Sequence, residues 1–302
     1  MRRVNSVARK KIVFVIVEGP SDDTAMGLMF TRFYDKNLVR VEITHGDITT
    51  RDWAGTQNIA ARIGDLVRHY AAANHFKVTD FQEVIHIVDT DGAFISDDAV
   101  VEDSNCLEPF YSSNEIRTDK PASIRRRNEG KSAILTRLAG LKHVWKTIPY
   151  HVYFMSCNLD HVLHNKQNSS DAEKENDAYA FARRYRDHLP EFLTFICDSD
   201  FSVRLDYKKS WDFIRYGLRS LERHSNLGLC FEPRSLMEYK GYEGSIEFSE
   251  ADGVFFGKVQ HIESLVSYEG ATQTELLDDF HKAVDDYLTQ CETEHRQSDI
   301  PH

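Results

Sequence analysis

Two short, mostly apolar runs constrain the fold of this chain more than any other feature. They are residues 12–17 and 83–88, and both are rich in valine and isoleucine. Because neither run alternates regularly with polar residues, each is predicted to be a strand buried on both faces, as in a parallel sheet. Helical patterns at 22–34 and 58–73 and a strand pattern at 39–44 lie between them. This order predicts an α/β domain in which helices flank a parallel sheet.

The rest of the first 225 residues carries a more varied pattern. Ser21 is predicted to cap the first helix, because serine is a good N-cap and two aspartates follow it. The further predictions are a surface insertion at 93–123, helices at 125–141, 178–188 and 208–224, a strand at 149–155, and polar connections at 168–177 and 226–236.

Carboxylates follow both of the apolar runs directly. Glu18 comes after the first run, and Asp89 and Asp91 come after the second. The carboxyl ends of parallel strands share one edge of a sheet, where α/β proteins bind their ligands, and carboxylate oxygens suit Mg²⁺. Taken singly, an Asp-x-Asp-Gly sequence is more often an ordinary turn. The two motifs together predict one shared site for a divalent metal.

The strand-Glu18-Gly19 motif, followed by helix, strand, helix and strand-Asp89-x-Asp91, resembles the Toprim superfamily over residues 12–165. The resemblance implies a Toprim-like parallel sheet and a site for Mg²⁺ or Mn²⁺, with one or two ions. It also implies that Glu18 is the acid/base or metal group and that both aspartates hold the metal. Residues 18–22 are similar to the Glu-Gly-x-x-acid pattern of OLD-family nucleases, which implies that Asp22 is a ligand of a second metal.

Two further groups of residues belong to this interpretation. The segment 154–164 resembles part of the RloB and AbiL-like phage-defence proteins, which implies that Asp160 is a further metal ligand. The basic residues at the start of the predicted helix 125–141 favour a phosphate-binding cluster, although a solvated helix face is an equal alternative. That cluster consists of Arg125, Arg126, Arg127 and Lys131. His45, Ser156, Asn158 and His161 either orient substrate or are structural polar groups.

Charge divides the chain into two unequal parts. Residues 237–302 contain 15 acidic residues against 4 lysines and arginines, whereas the preceding 236 residues contain 33 of each sign. Alternating and helical patterns predict a βββα unit, with strands at 239–248, 254–259 and 265–268 and a helix at 273–292. This part resembles the HicB-type antitoxin domain, which implies a partial RNase H-like fold. The predicted domains are 1–225, a linker at 226–236, and 237–302.

Together these observations predict Mg²⁺-dependent phosphodiester cleavage of RNA or DNA, of a phage-defence or toxin-antitoxin type and controlled through the HicB-like part. Candidate partners are the nucleic acid, an ATPase, a HicA-like toxin and a second copy of the chain. One alternative is a non-catalytic antitoxin that binds a HicA-like RNase, and another is primase-like nucleotide polymerisation. The five cysteines occur singly, so they indicate neither a disulfide framework nor a zinc site. The lack of a long apolar run predicts a cytoplasmic protein that does not bind membranes.

Overall fold

The computed structural model describes residues 10–34, 39–45, 59–231, 238–249, 252–260, 262 and 264–294. The elements of its larger part are β1 (Lys11–Val17), α1 (Pro20–Phe33), β2 (Val39–His45), α2 (Ile59–Ala73), β3 (Phe81–Asp89), β4 (Val100–Glu102), β5 (Phe110–Tyr111), β6 (Ile116–Thr118), α3 (Pro121–Ala139), β7 (His143–Val144), β8 (Ile148–Met155), α4 (Leu159–His164), α5 (Asp171–Tyr185), α6 (Leu189–Asp198), α7 (Tyr207–Ile214) and α8 (Gly228–Phe231).

A five-stranded sheet of order β2-β1-β3-β8-β7 lies at the centre. Its first four strands are parallel, and the edge strand β7 is antiparallel to β8. In β1, Val13, Val15 and Val17 face a core formed with α1, α5 and α6, while the intervening residues face a core formed with α2, α3 and α7. The residues 12–17 are each at most 1% exposed. The predicted α/β architecture, with helices on both faces of a mostly parallel sheet, is therefore confirmed.

Proline moves the starts of two helices ahead of their predicted positions. The N-cap of α1 is Gly19 rather than Ser21, and α3 begins at Pro121 rather than near residue 125. A proline suits the first turn of a helix because the amide hydrogen that it lacks has no partner there. Similarly, α5 begins at residue 171 within the predicted polar connection, because Ser170 and Glu173 form a capping box.

The predicted surface insertion at 93–123 contains its own small sheet, of order β4-β6-β5. Five buried side chains form its core: Ile95, Val100, Ile116, Ile124 and Leu221. Leu221 comes from a segment about a hundred residues later in the chain, so the insertion is packed against the main body.

The predicted helix at 208–224 is wrong beyond α7, which ends at Ile214. Gly217 has a φ of 63°, a left-handed conformation that an α-helix cannot accommodate. The following segment, residues 218–226, instead crosses the end of β8, where backbone amides of Ser156 and Cys157 donate to the carbonyls of His224 and Ser220. The predicted linker also begins too early, because residues 227, 230 and 231 are at most 4% exposed in the core.

The C-terminal part contains β9 (Glu238–Tyr239), β10 (Tyr242–Glu243), β11 (Glu247–Ser249), β12 (Val254–Lys258), β13 (Ser267–Gly270) and α9 (Gln273–Thr293). Strands β11, β12 and β13 form an antiparallel sheet, and α9 packs its predicted apolar stripe against it. The predicted strand 239–248 is interrupted by a two-residue turn, since Lys240 and Gly241 both have positive φ. The division into two domains stays a prediction.

The five cysteines are free thiols. Within the described ranges, no helix combines the length and the apolar character needed to cross a membrane.

Candidate metal centre

Glu18 and the aspartate loop meet at the carboxyl edge of the central sheet. Glu18 follows β1, and Asp89 ends β3, the strand that pairs with β1 in parallel. The backbone amide of Asp89 donates a hydrogen bond of 3.1 Å to Oε1 of Glu18. The structure thus brings together the two motifs that are 71 residues apart in sequence.

Lys131 supplies a buried positive charge between these carboxylates. Its side chain is 0% exposed, its ammonium group forms an ion pair with Asp91, and it lies 3.7 Å from Oε1 of Glu18. Although burial alone would lower the pKa of Lys131, the carboxylates of Asp91, Glu18 and Asp89 raise it above its ordinary value. Lys131 therefore stays charged and belongs to the acidic centre, not to a solvent-facing phosphate-binding cluster as predicted.

The loop that carries Asp91 has a fixed and unusual backbone. Asp91 has a φ of 47°, and its amide donates a 2.8 Å hydrogen bond to the carbonyl of Cys157, which has a φ of 57°. The hydroxyl of Thr90 accepts from the amide of Cys157 and donates to the carbonyl of Ser220, both at 2.9 Å. The segment 218–226 thus supports the Asp89–Asp91 loop, through a threonine that sequence reasoning did not single out.

Asp89 and Asp91 differ in their electrostatic surroundings. Burial, followed by the negative charges of Glu18, Asp22 and Asp91, raises the pKa of Asp89 well above its ordinary value. Burial also acts to raise the pKa of Asp91, but Lys131 and Arg127 outweigh it and hold that pKa below its ordinary value. One aspartate is therefore firmly ionised, while the other has an excess of negative charge around it.

Asp22 and Asp160 lie beside this pair. Asp22 accepts a 2.8 Å hydrogen bond from the amide of Gly19 at the start of α1. Burial raises the pKa of Asp22 to about 6, and the charge of Asp160 adds to this while Lys174 opposes it. Asp160, in the first turn of α4, has a pKa raised by its own burial. Asp22 thus interacts electrostatically with both Asp89 and Asp160. Asp160 is therefore a neighbour of Asp22 rather than of the Asp89-Asp91 loop.

We call Glu18, Asp22, Asp89 and Asp91 the acidic cluster. Its composition fits a hard divalent cation, because every donor is a carboxylate and the excess charge around Asp89 favours a cation there. Solvent also reaches it, since the side chains of Glu18 and Asp91 are 17% and 25% exposed. In the described part of the chain, no group of three or more His, Cys, Asp or Glu side chains is arranged to hold a metal ion, and Lys131 already pairs with Asp91 and lies near Glu18. A bound cation would therefore have to compete with Lys131 for Glu18 and Asp91.

The three arginines of the predicted phosphate-binding cluster do not act as one surface. Arg127 donates a 2.7 Å hydrogen bond to the carbonyl of Asp91 and a second bond to the hydroxyl of Tyr111. Arg125 donates to the carbonyls of Asp97 and Val100 at 3.2 and 3.0 Å. Arg126 is exposed. Arg125 and Arg127 therefore bind carbonyl groups of neighbouring loops, and Arg126 remains exposed to solvent.

The polar residues after β8 serve the backbone. Asn158 caps α4 by accepting from the amide of His161, and the hydroxyl of Ser156 accepts a 2.6 Å hydrogen bond from the amide of His224. A ring nitrogen of His161 lies 3.2 Å from the carbonyl of Ser156. These contacts favour the structural interpretation of all three residues. The side chain of His45 lies outside the described residues.

Sequence reasoning missed two charged or polar neighbours of the acidic cluster. Lys174, near the start of α5, acts electrostatically on Asp22, Asp91 and Asp160. Tyr111, in the small sheet of the insertion, is held by Arg127. Ser170 is a recognisable N-cap, so the sequence could have shown where α5, the helix that carries Lys174, begins. No local pattern indicates that Tyr111 reaches the acidic cluster.

No protein-family model, curated protein or solved structure matches this chain. The functional argument is therefore made from the geometry and from the residues themselves.

Proposed function

We propose that this chain is a Mg²⁺-dependent nuclease of the Toprim type that cleaves phosphodiester bonds in RNA or DNA. One observation carries the proposal: Glu18 and the Asp89-Asp91 loop lie together at the carboxyl ends of adjacent parallel strands, beside a buried lysine. Such an edge is the usual ligand site of an α/β sheet, and paired carboxylates are typical of metal-assisted phosphoryl chemistry.

The carboxylates of Glu18, Asp89 and Asp91 would hold the cation, and Asp22 would support a second one. When bound, Mg²⁺ neutralises negative charge on the scissile phosphate. Lys131 keeps Asp91 ionised at neutral pH, which preserves a donor for the cation. We assign the acid/base role to Glu18, because its side chain is partly exposed and accepts a hydrogen bond from the Asp89 amide.

The C-terminal part supports a role in control. Residues 237–302 carry the entire net negative charge of the chain, which is −11. An acidic surface can occupy a site that otherwise binds nucleic acid, or it can bind a basic partner. We therefore propose that the HicB-like part regulates the nuclease, either directly or by recruiting a protein.

The same acidity favours a second candidate function, a non-catalytic antitoxin that binds a HicA-like RNase. On the described surface of this part, Asp279 accepts from the amide of Glu269, and Asp285 pairs with Lys240 at 2.8 Å. These contacts give the two aspartates a role in local structure rather than in RNase H-type catalysis.

A cleavage assay tests the proposed function. Labelled single-stranded and duplex RNA and DNA are incubated with the full chain in Mg²⁺, in Mn²⁺ and in EDTA. We expect metal-dependent cleavage that falls by about 100-fold or more in Asp89→Asn and in Asp91→Asn, because each substitution removes a ligand charge. Asp98→Asn, an exposed aspartate in the insertion, is the matched control and should retain activity.

Two outcomes would reject the nuclease. One is equal cleavage by the wild type and Asp89→Asn, which would indicate a contaminant or a different site. The other is the absence of cleavage together with stoichiometric binding of a small basic protein by the C-terminal part, which would favour the antitoxin.

A further inference from the structure

A cavity opens near the amino end of β8, whereas the acidic cluster lies at the carboxyl ends of the strands. It has a volume of about 660 Å³ and lies between the end of α3, the beginning of β8 and α7. Tyr150, on β8, lies at the floor of the cavity. Met155, five residues further along the same strand, pairs with Asp89 of the acidic cluster. At roughly 3.3 Å per residue, the cavity is about 17 Å from the acidic cluster along the strand. It is therefore a separate site.

The cavity combines an apolar floor with a basic rim. Its apolar wall is formed by Ala139, Leu141, Pro149, Tyr150, Tyr207 and Trp211. Lys142, Lys208 and Arg215 stand on its rim, against a single acidic lining residue, Asp212. Lys142 and Lys208 are exposed, so both ammonium groups can reach a ligand. The rim thus favours an anion and the floor favours an organic group.

Arg215 adds a third cation to the lining of the cavity. Its Nη1 lies 3.2 Å from a carboxylate oxygen of Asp212. Its Nε is buried and has no hydrogen-bond partner among the described residues. That atom is closed to solvent, but the side chain as a whole is 30% exposed, so a ligand anion would meet other parts of the guanidinium group.

We propose that this cavity binds a phosphorylated nucleoside. Pockets for small organic ligands usually measure about 300–1,000 Å³, so a mononucleotide fits the space. The phosphate group would bind at Lys142, Lys208 and Arg215, and the base would pack on the apolar floor near Trp211. Arginine and lysine together are the side chains best suited to phosphate oxygens.

Isothermal titration calorimetry on the full chain in EDTA tests the proposal, with AMP, ATP, adenosine and inorganic phosphate as probes. We expect saturable binding of AMP or ATP that weakens as the salt concentration rises, because exposed charges contribute. Adenosine and phosphate should each bind at least about tenfold more weakly, since each occupies only half of the cavity. Adenosine binding as tightly as AMP would overturn the proposal, as would the absence of nucleotide binding.

Three variants locate the binding. The double variant Lys142→Ala/Lys208→Ala should weaken AMP binding by about tenfold or more, because two charged contacts are lost. Lys209→Ala is the matched control: this neighbour of Lys208 is exposed, pairs with Asp206 and does not line the cavity. Asp89→Asn should bind AMP as the wild type does. Loss of AMP binding in Asp89→Asn would contradict the assignment, and so would equal losses of binding in the control and the double variant. Both results are independent of whether the chain is a nuclease.

Discussion

Replacement of Lys131 by methionine tests the electrostatic design of the acidic cluster. Methionine keeps most of the side-chain volume, but it removes the charge that lies beside both Asp91 and Glu18. Removing one partner of a buried ion pair typically costs about 3–5 kcal/mol, because the remaining charge stays buried. Lys131 is 0% exposed and has two partners, so we expect a loss of about 3–5 kcal/mol in the free energy of unfolding at pH 7.5. Lys166→Met, which breaks a partly exposed pair with Asp177, should cost about 0–1 kcal/mol.

The effect of pH on this loss follows from Asp91. Lys131 helps to lower the folded-state pKa of Asp91, so the pair adds stability above the unfolded-state pKa, and this stability is lost as the pH falls through the folded-state pKa. Without Lys131, the pKa of Asp91 should rise, and acid then neutralises it. The difference between wild type and Lys131→Met should therefore shrink as the pH falls from 7.5 towards 4.5.

Urea denaturation at the two pH values, with and without Mg²⁺, measures all of these quantities. If the acidic cluster binds the cation, Mg²⁺ should stabilise Lys131→Met more than the wild type, since no lysine competes. At a cation concentration of 100 times Kd, ligand linkage gives about 2.7 kcal/mol. A loss below about 1 kcal/mol at pH 7.5 that is independent of pH and equal to that of Lys166→Met would refute the reasoning.

Three further substitutions test other parts of the structure. Burial lowers the pKa of His86 to about 3. The free energy of unfolding of the wild type should therefore fall by up to about 1.4 kcal/mol per pH unit below the unfolded-state pKa near 6.5. Urea titrations should show a shallower decline in His86→Gln, and equal slopes would contradict this. Thr90→Val should cost about 1 kcal/mol, because the amide of Cys157 and the carbonyl of Ser220 each lose one hydrogen bond while staying bonded to each other. Thr90→Ser should recover most of this loss, and equal unfolding midpoints for the two variants would reject this role. In Gly257→Ala the new Cβ would clash with the carbonyl oxygen of Ser245. We therefore expect the free energy of unfolding, measured by thermal unfolding, to fall by about 3 kcal/mol or more. A loss below about 1 kcal/mol would show that the strands separate easily.

The sequence predicted those features that depend on local periodicity and on chain order. The buried strands, the helices between them and the meeting of Glu18 with the aspartate loop all follow from the βαβαβ pattern. The apolar stripe of α9 was equally readable, because its spacing is regular over 21 residues. Long, periodic segments constrain their own structure, so these predictions were confirmed.

The sequence did not predict features that depend on distant contacts. Lys131 is part of a basic run, and only the packing of α3 against the sheet shows that its ammonium group is buried. The helix predicted to continue beyond Ile214 had suitable periodicity, but residues 218–226 gain more by hydrogen bonding to the end of β8. In the second case, tertiary hydrogen bonds override a weak local preference.

The contact between Thr90 and Ser220 also has a consequence for synthesis. The two residues are separated by 130 positions, so Glu18, Asp89 and Asp91 are all translated long before the segment that holds their loop. At about 5–20 residues per second, that interval is about 7–26 s. During this time the nascent chain carries the acidic residues without the support that fixes Asp91. The order of translation therefore places the strands of the sheet before the segment that completes the acidic cluster.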